Sequence, residues 1–370
     1  MKYLDNIISN PIFVDWAITS KCHLSCTHCR YRGIKVESSE ERGDRRKELT
    51  TNEAMKLASV INEIKPNWIL VEGGEPFLRV DIFSIIKALQ PQINTDTHRL
   101  KNKVNRLNPS NPWLQKRPIY IISSGIGFTE KYAQECKKLD VKLMISLDSA
   151  NKKTYEQIRQ GAVYDEMVDA ISIAQEYGIL DSINVTLQGL NCSTREIKAI
   201  GQFSYILNIN KINFLGFKPS HRELSFKELP KSSDLVKVFS EILNINKKYG
   251  LGVFVDEPFF IPWLKEAGGK MQEARNKKKE NNGPIVVNEK AGCIFGEYLF
   301  IEPDETAKPC SFSPLSFKQI GEKTMQRIQN KRNRKGKCSK CKYVLECGGC
   351  RVRTYALTND WLESDPLCPL

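Results

Sequence analysis

No run of 18 apolar residues occurs in the chain, so no membrane-spanning helix is expected. The opening MKYLDNIISNPIF has no basic start, apolar core or small-residue cleavage site. It does not read as a signal peptide, and a cytoplasmic location is expected. Aromatic residues are scarce in the three basic runs, at 97–118, 275–280 and 331–337. No stacking platform for bases is evident there, the runs read as solvated surface, and nucleic acid is not an expected partner. The formal charge of +13 suits instead an acidic substrate or an acidic redox partner. No internal repeat is visible beyond a strand–helix unit.

Cysteine, by contrast, is abundant. Twelve cysteines in a reducing compartment point to metal binding rather than disulfides. Ten lie towards the two ends: Cys22, Cys26 and Cys29, then Cys293, Cys310, Cys338, Cys341, Cys347, Cys350 and Cys368. Cys136 and Cys192 are isolated and read as small buried hydrophobes.

Short β-branched runs alternate with amphipathic segments from residue 13 to about 220. Strands are expected at 13–19, 67–74, 119–125, 142–149, 183–189 and 212–219. Helices are expected at 51–64, 81–89, 130–138, 164–177 and 195–206. The pattern predicts an α/β fold with a parallel sheet and right-handed crossovers. Six such units make a partial, TIM-like (β/α)6 barrel, with a doubly wound sheet as the alternative. In either, chemistry belongs at the C-terminal ends of the strands. A long helix is expected at 231–250, then an apolar stretch broken by prolines at 252–263 and a polar linker at 266–288. The cysteine-dense end lacks regular periodicity and needs bound metal to hold it together.

Three motifs fall at strand ends. Cys22, Cys26 and Cys29 have the spacing Cx3Cx2C. His23 or His28 could complete a zinc site. Three thiolates on an iron–sulfur cube would instead leave one iron with an exchangeable position, as a catalyst needs. VEGGEP at 71–76 offers the carboxylates of Glu72 and Glu75, and Gly73 and Gly74 permit close backbone approach before Pro76. ISLDSANKKTYEQIRQG at 145–161 sets Ser146 and Asp148 at a strand end, with Arg159 able to turn towards the same mouth. A ribose or carboxylate would suit them; helix capping by Asp148 or Ser149 is the plainer alternative.

In this order the motifs resemble those of the radical S-adenosylmethionine enzymes over about 200 residues. The resemblance implies that Cys22, Cys26 and Cys29 hold a [4Fe–4S] cluster whose fourth iron takes the amino and carboxylate groups of S-adenosylmethionine. It places the GGEP residues at the amino group, and Ser124, Ser146, Asp148 and Arg159 around the cofactor. Two departures stand out. The usual tyrosine after the third cysteine is displaced by one, giving Arg30–Tyr31, and the usual polar-Asn-Gly is Ser123–Ser124–Gly125. The last seven cysteines resemble the SPASM extension, which implies two auxiliary [4Fe–4S] clusters. Carried over by position, Cys338, Cys341, Cys347 and Cys368 fill one. Cys293, Cys310 and Cys350 hold the other, with a fourth ligand lacking. The implied division is a barrel at 1–230, a bridging helix and linker at 231–292, and a SPASM domain at 293–370.

The resemblance implies reductive cleavage of S-adenosylmethionine to a 5′-deoxyadenosyl radical, fed by an acidic ferredoxin or flavodoxin, with oxidative modification of a peptide or protein side chain. No leader-binding region is expected ahead of the barrel, which counts against a leader-guided maturase. The second reading comes from residues 347–369, which are similar to the tail of radical enzymes of the alternative haem pathways. Those act on propionate side chains of iron porphyrins, and the basic insertion at 97–117 could meet such carboxylates. A third reading, a metal-cluster scaffold that binds nucleic acid, predicts no use for GGEP.

Overall fold

The structure, a computed structural model, describes residues 11–31, 48–90, 117–219, 226–266, 285–286 and 292–370. The run at 275–280, nearly all of 97–118 and most of the 266–288 segment lie outside the described residues.

Local sequence sets the element ends. Helix α1 (Thr51–Ile64) starts at a reciprocal cap. The Glu53 carboxylate accepts from the Thr50 backbone N–H at 2.8 Å, and the Thr50 hydroxyl accepts from the Glu53 N–H at 3.4 Å. Ala54, Leu57, Ala58 and Ile61, at helical spacing, form its buried face. The strands β1 (Val14–Thr19), β2 (Ile69–Gly73), β3 (Ile119–Ser123), β4 (Val141–Ser146), β5 (Leu180–Leu187) and β6 (Lys211–Gly216) alternate with α2 (Ile82–Leu89), α3 (Glu130–Lys138), α4 (Lys152–Ile158), α5 (Tyr164–Glu176) and α6 (Thr194–Ile206). In β3, Ile119, Ile121 and Ser123 are buried while Tyr120 and Ile122 are half-buried, so two unlike faces alternate along the strand.

All six expected strands form a parallel sheet, and the sheet continues beyond them. Helix α7 (Ser232–Tyr249) leads to β7 (Gly252–Asp256), which pairs in parallel with β6 from Lys211↔Gly252 to Leu215↔Asp256. Pro258 and Pro262 lie beyond this strand, so they remove no ladder bond. Pro262 sits in the first turn of α8 (Phe260–Glu266), where backbone N–H groups have no helical partner anyway. The two residues of β8 (Ile285–Val286) extend one edge. At the other edge β9 (Leu299–Ile301) pairs in parallel with β1, and β10 (Ala307–Lys308) returns antiparallel to β9. The order is β10-β9-β1-β2-β3-β4-β5-β6-β7-β8, an open, unclosed barrel. The cysteine-dense region therefore contributes strands to the barrel sheet rather than folding apart from it. Cys136 and Cys192 are buried in the core, as the sequence suggests. The remaining helices are α9 (Phe317–Ile320), α10 (Glu322–Gln329) and α11 (Arg351–Thr358).

Candidate active site

The loop carrying Cys22, Cys26 and Cys29 leaves the C-terminal end of β1 and is pinned at three places. At the end of β2, Gly74 N–H donates to Thr19 O at 2.8 Å and Glu75 N–H to Lys21 O at 2.7 Å. A Cβ on Gly73 would stand 2.3 Å from Thr19 O, and one on Gly74 2.1 Å from Lys21 O. The two glycines thus let β2 approach the protein's own cysteine loop. Beyond α4, Ser25 N–H donates to Gln160 O at 2.9 Å and Thr27 N–H to Ile158 O at 2.8 Å. Beyond β5, the buried Gln188 accepts from the Thr27 hydroxyl at 2.9 Å and lies 3.1 Å from His28 Nδ1.

The carboxylates around the loop are committed to internal partners. Glu75 is buried and accepts from Ser123 Oγ at 2.8 Å, Ser124 N at 2.9 Å and Ser124 Oγ at 2.6 Å. Burial raises its pKa against those bonds. Glu72 pairs with Arg30 at 2.5 Å. Asp148, at a φ of 61°, accepts from Thr186 N–H at 2.7 Å and pairs with Arg159 at 2.8 Å. Arg159 Nη1 in turn lies 3.9 Å from Cys26 Sγ. Neither Asp148 nor Ser149 caps α4: Asn151 does, accepting from Thr154 N–H at 3.1 Å, while the Ser149 hydroxyl donates to Glu196. Ser146 is buried at the end of β4.

Three thiols on one loop are the donor chemistry of an iron–sulfur cluster, although among the described residues no three His, Cys, Asp or Glu side chains converge as on a single metal ion. Burial pushes Cys22 up to about 11 and Cys26 up to about 12, so these thiols stay protonated until a metal takes them. Leu24 N–H points at Cys22 Sγ (3.4 Å) and Tyr31 N–H at Cys29 Sγ (3.3 Å), as sulfurs carrying cluster charge require. His28, one of the two histidines the zinc alternative offers, faces Gln188 with Nδ1 and lies 3.6 Å from Asp148 with Nε2.

The C-terminal cysteines are held by left-handed glycines and buried charge. Gly348 and Gly349 have φ of 68° and 62°, and a Cβ on Gly292 would stand 2.1 Å from Glu346 O. Cys293 N–H donates to Cys347 O at 3.1 Å, Cys350 N–H to Asp365 Oδ2 at 2.8 Å, and Cys338 N–H to Ser364 Oγ at 3.0 Å. The run at 331–337 is mostly exposed, as solvated surface should be, with one exception. Arg334 is buried, donating to Gly348 O and Ile328 O, and Lys337 donates to Cys368 O at 2.8 Å.

Two sets of contacts join this region to the barrel. Arg30 lies 4.6 Å from the Phe300 ring centre, and the Tyr31 hydroxyl donates to Glu302 at 2.6 Å, so the loop touches the β9–β10 hairpin directly. Burial, reinforced by Glu72, pushes the neighbouring Asp15 well above the carboxylate range. Arg353 joins Glu257, Asp365 and the Phe217 carbonyl. Sequence reasoning missed Gln188, Lys218, Glu257, Arg353 and Asp365. Lys218 and Glu257 follow β6 and β7 directly, so recognising the seventh strand would have singled out Glu257 as a strand-end residue.

Residues 16–200 match the Radical SAM superfamily, and the chain belongs to it. Its C-terminal region carries seven cysteines, from Cys293 to Cys368. The AdoMet-dependent heme synthase of Methanosarcina barkeri (strain Fusaro / DSM 804) is 23% identical, over 97% of this chain and 96% of its own length. That of Nitratidesulfovibrio vulgaris Hildenborough is 22% identical, over 96% and 91%. Streptococcus suis SuiB bound to S-adenosylmethionine shares the fold, with a TM-score of 0.67 at 14% identity, covering all of this chain and 80% of SuiB.

Proposed function

We propose that this radical S-adenosylmethionine enzyme acts on propionate side chains of an iron porphyrin. The carrying observation is the likeness to an AdoMet-dependent heme synthase along 97% of the chain. The peptide reading has weaker support, because the likeness to SuiB concerns fold alone. Cys22, Cys26 and Cys29 would hold a [4Fe–4S] cluster, with Glu72, Gly73, Gly74, Glu75, Pro76, Ser124, Ser146, Asp148 and Arg159 shaping the cofactor's surroundings. When bound, the cluster supplies the low-potential electron that cleaves S-adenosylmethionine to a 5′-deoxyadenosyl radical.

The protein's own residues set the stage for that step. The backbone N–H groups of Gly74 and Glu75 fix the start of the cysteine loop, and Glu75 ties it to Ser124 on the far side of β3. Arg159 places positive charge beside Cys26 while Asp148 holds it there. On the substrate, loss of one hydrogen atom to the radical, then of CO2 and one electron, turns a propionate into a vinyl group. The electron needs an acceptor, and the seven C-terminal cysteines, as two auxiliary clusters in the ligand sets given above, would supply it. We retain the division at 1–230, 231–292 and 293–370, with the β9–β10 hairpin as the part of the last segment that joins the barrel. All twelve cysteines are free thiols, which suits a reducing cytoplasm and an acidic ferredoxin or flavodoxin donor.

The test is an anaerobic incubation of reduced, reconstituted protein with S-adenosylmethionine and an iron porphyrin bearing propionates. The expected outcome is porphyrin-dependent 5′-deoxyadenosine with stepwise loss of CO2 in the mass spectrum. Unchanged porphyrin, in a sample that still forms 5′-deoxyadenosine, would overturn the substrate assignment.

A further inference from the structure

We propose that Lys218 sets the reduction potential of the redox centre held by Cys293, Cys310 and Cys350, raising it, and that Asp256 moderates the effect. The inference rests on the reading that those three thiolates hold an auxiliary iron–sulfur cluster.

Lys218 stands two residues past the end of β6. Its Nζ lies 2.7 Å from Asp256 Oδ2 and 3.4 Å from Gly216 O. The same Nζ is 5.9 Å from the ring centre of Phe312, two residues beyond Cys310. The preceding residue, Phe217, accepts through its carbonyl from Arg353 at 3.1 Å, and Arg353 is three residues beyond Cys350. The lysine is thus bracketed by the two segments that carry Cys310 and Cys350.

Buried Arg334 and Arg351 donate to backbone carbonyls on the Cys347–Cys350 side, whereas the two other arginines near Lys218 are matched by carboxylates. Arg353 is enclosed by Glu257 and Asp365, so that group of three has a net negative charge. Arg30, also 5.9 Å from the Phe312 ring, is paired with Glu72 at the β1–β2 side. Lys218 has Asp256, whose side chain is 37% exposed and therefore partly screened by water, whereas the Lys218 side chain is only 17% exposed. The less screened charge of this pair is the ammonium, which lies on the side of the segment that carries Cys310 and Phe312. Reduction adds one electron and one negative charge to a cluster, so a covered cation beside it favours the reduced form. No bond is made or broken.

The test is a redox titration followed by electron paramagnetic resonance on full-length reconstituted protein. A Cys22→Ala, Cys26→Ala, Cys29→Ala background removes the first cluster's signal. Lys218→Met should shift one centre at least tenfold towards the oxidised form at fixed potential, which is 59 mV more negative for one electron. Asp256→Asn should shift the same centre the other way, and Lys218→Arg should leave it in place, all at unchanged iron content. If neither Lys218→Met nor Asp256→Asn moves an intact signal, or both move it the same way as added solvent access would, the lysine has no such role. If the wild-type C-terminal cysteines bind no iron at all, the cluster reading itself falls, and this proposal with it.

Discussion

Arg353 Nη1 and Nη2 stand 2.9 and 2.8 Å from the two carboxylate oxygens of Glu257, a residue 96 positions earlier in the chain. Asp365 accepts from the other edge of the same guanidinium at 2.8–3.1 Å, and all three side chains are buried. The fork geometry needs arginine, since an ammonium offers no pair of parallel donors. One group of three thereby ties the end of β7 to α11 and to the tail before Cys368.

Removing one partner leaves buried charge without compensation. Arg353→Met should destabilise the protein by about 3–5 kcal/mol, and Arg353→Lys should recover less than half of that. Thermal unfolding at neutral pH checks both. An Arg353→Met protein with an unchanged melting point would mean that the contact is dispensable.

Gly74→Ala forces a Cβ to within 2.1 Å of the Lys21 carbonyl, and both neighbours are backbone. Overpacking of this kind costs roughly 1–3 kcal/mol, and the loop with Cys22 should move. The variant should lose about four of ~12 irons while the C-terminal sites stay filled. Iron analysis after reconstitution reads the outcome; full loading would contradict the close-approach role.

Gln188→Ala removes the partner shared by Thr27 and His28 inside the cysteine loop. Losing a buried hydrogen bond costs about 1–3 kcal/mol. The cluster's absorbance should decay several-fold faster in air than in wild type, with little change in iron loading beforehand.

Burial works to raise the pKa of Glu302, but Arg30 and Lys308 outweigh it and hold the group below the usual 4.5. A depressed carboxylate contributes stability above its unfolded pKa and loses it as pH falls through the folded value. Glu302→Gln should therefore lower the melting point by a constant amount from pH 8 to about 5.5. The gap should narrow only below about pH 4.5. A gap that widens towards acid would reverse the assignment of charge.

The parts visible in the sequence are those with a local signal. The start of α1 follows from Thr50 and Glu53, three residues apart, and the strands from their short β-branched runs. VEGGEP reads correctly as a place of close approach, but the surface approached is the cysteine loop itself. GVFVDEPFFIPW hides β7 because its prolines suggest interruption, while the ladder to β6 ends at Asp256, before them. The Arg353–Glu257–Asp365 group has no local signature, since its members are 96 and 12 positions apart. Arg30–Tyr31 looks like a displaced motif residue; in the fold it is the contact between the cysteine loop and the β9–β10 hairpin.

The most direct measurement of the central claim is 5′-deoxyadenosine formed under dithionite by wild type and by the Cys22→Ala, Cys26→Ala, Cys29→Ala variant. Wild type should form it, and the variant should form none while retaining about eight of ~12 irons at the C-terminal cysteines. Cleavage that survives in the variant would contradict the assignment of the loop after β1 as the site where S-adenosylmethionine is opened.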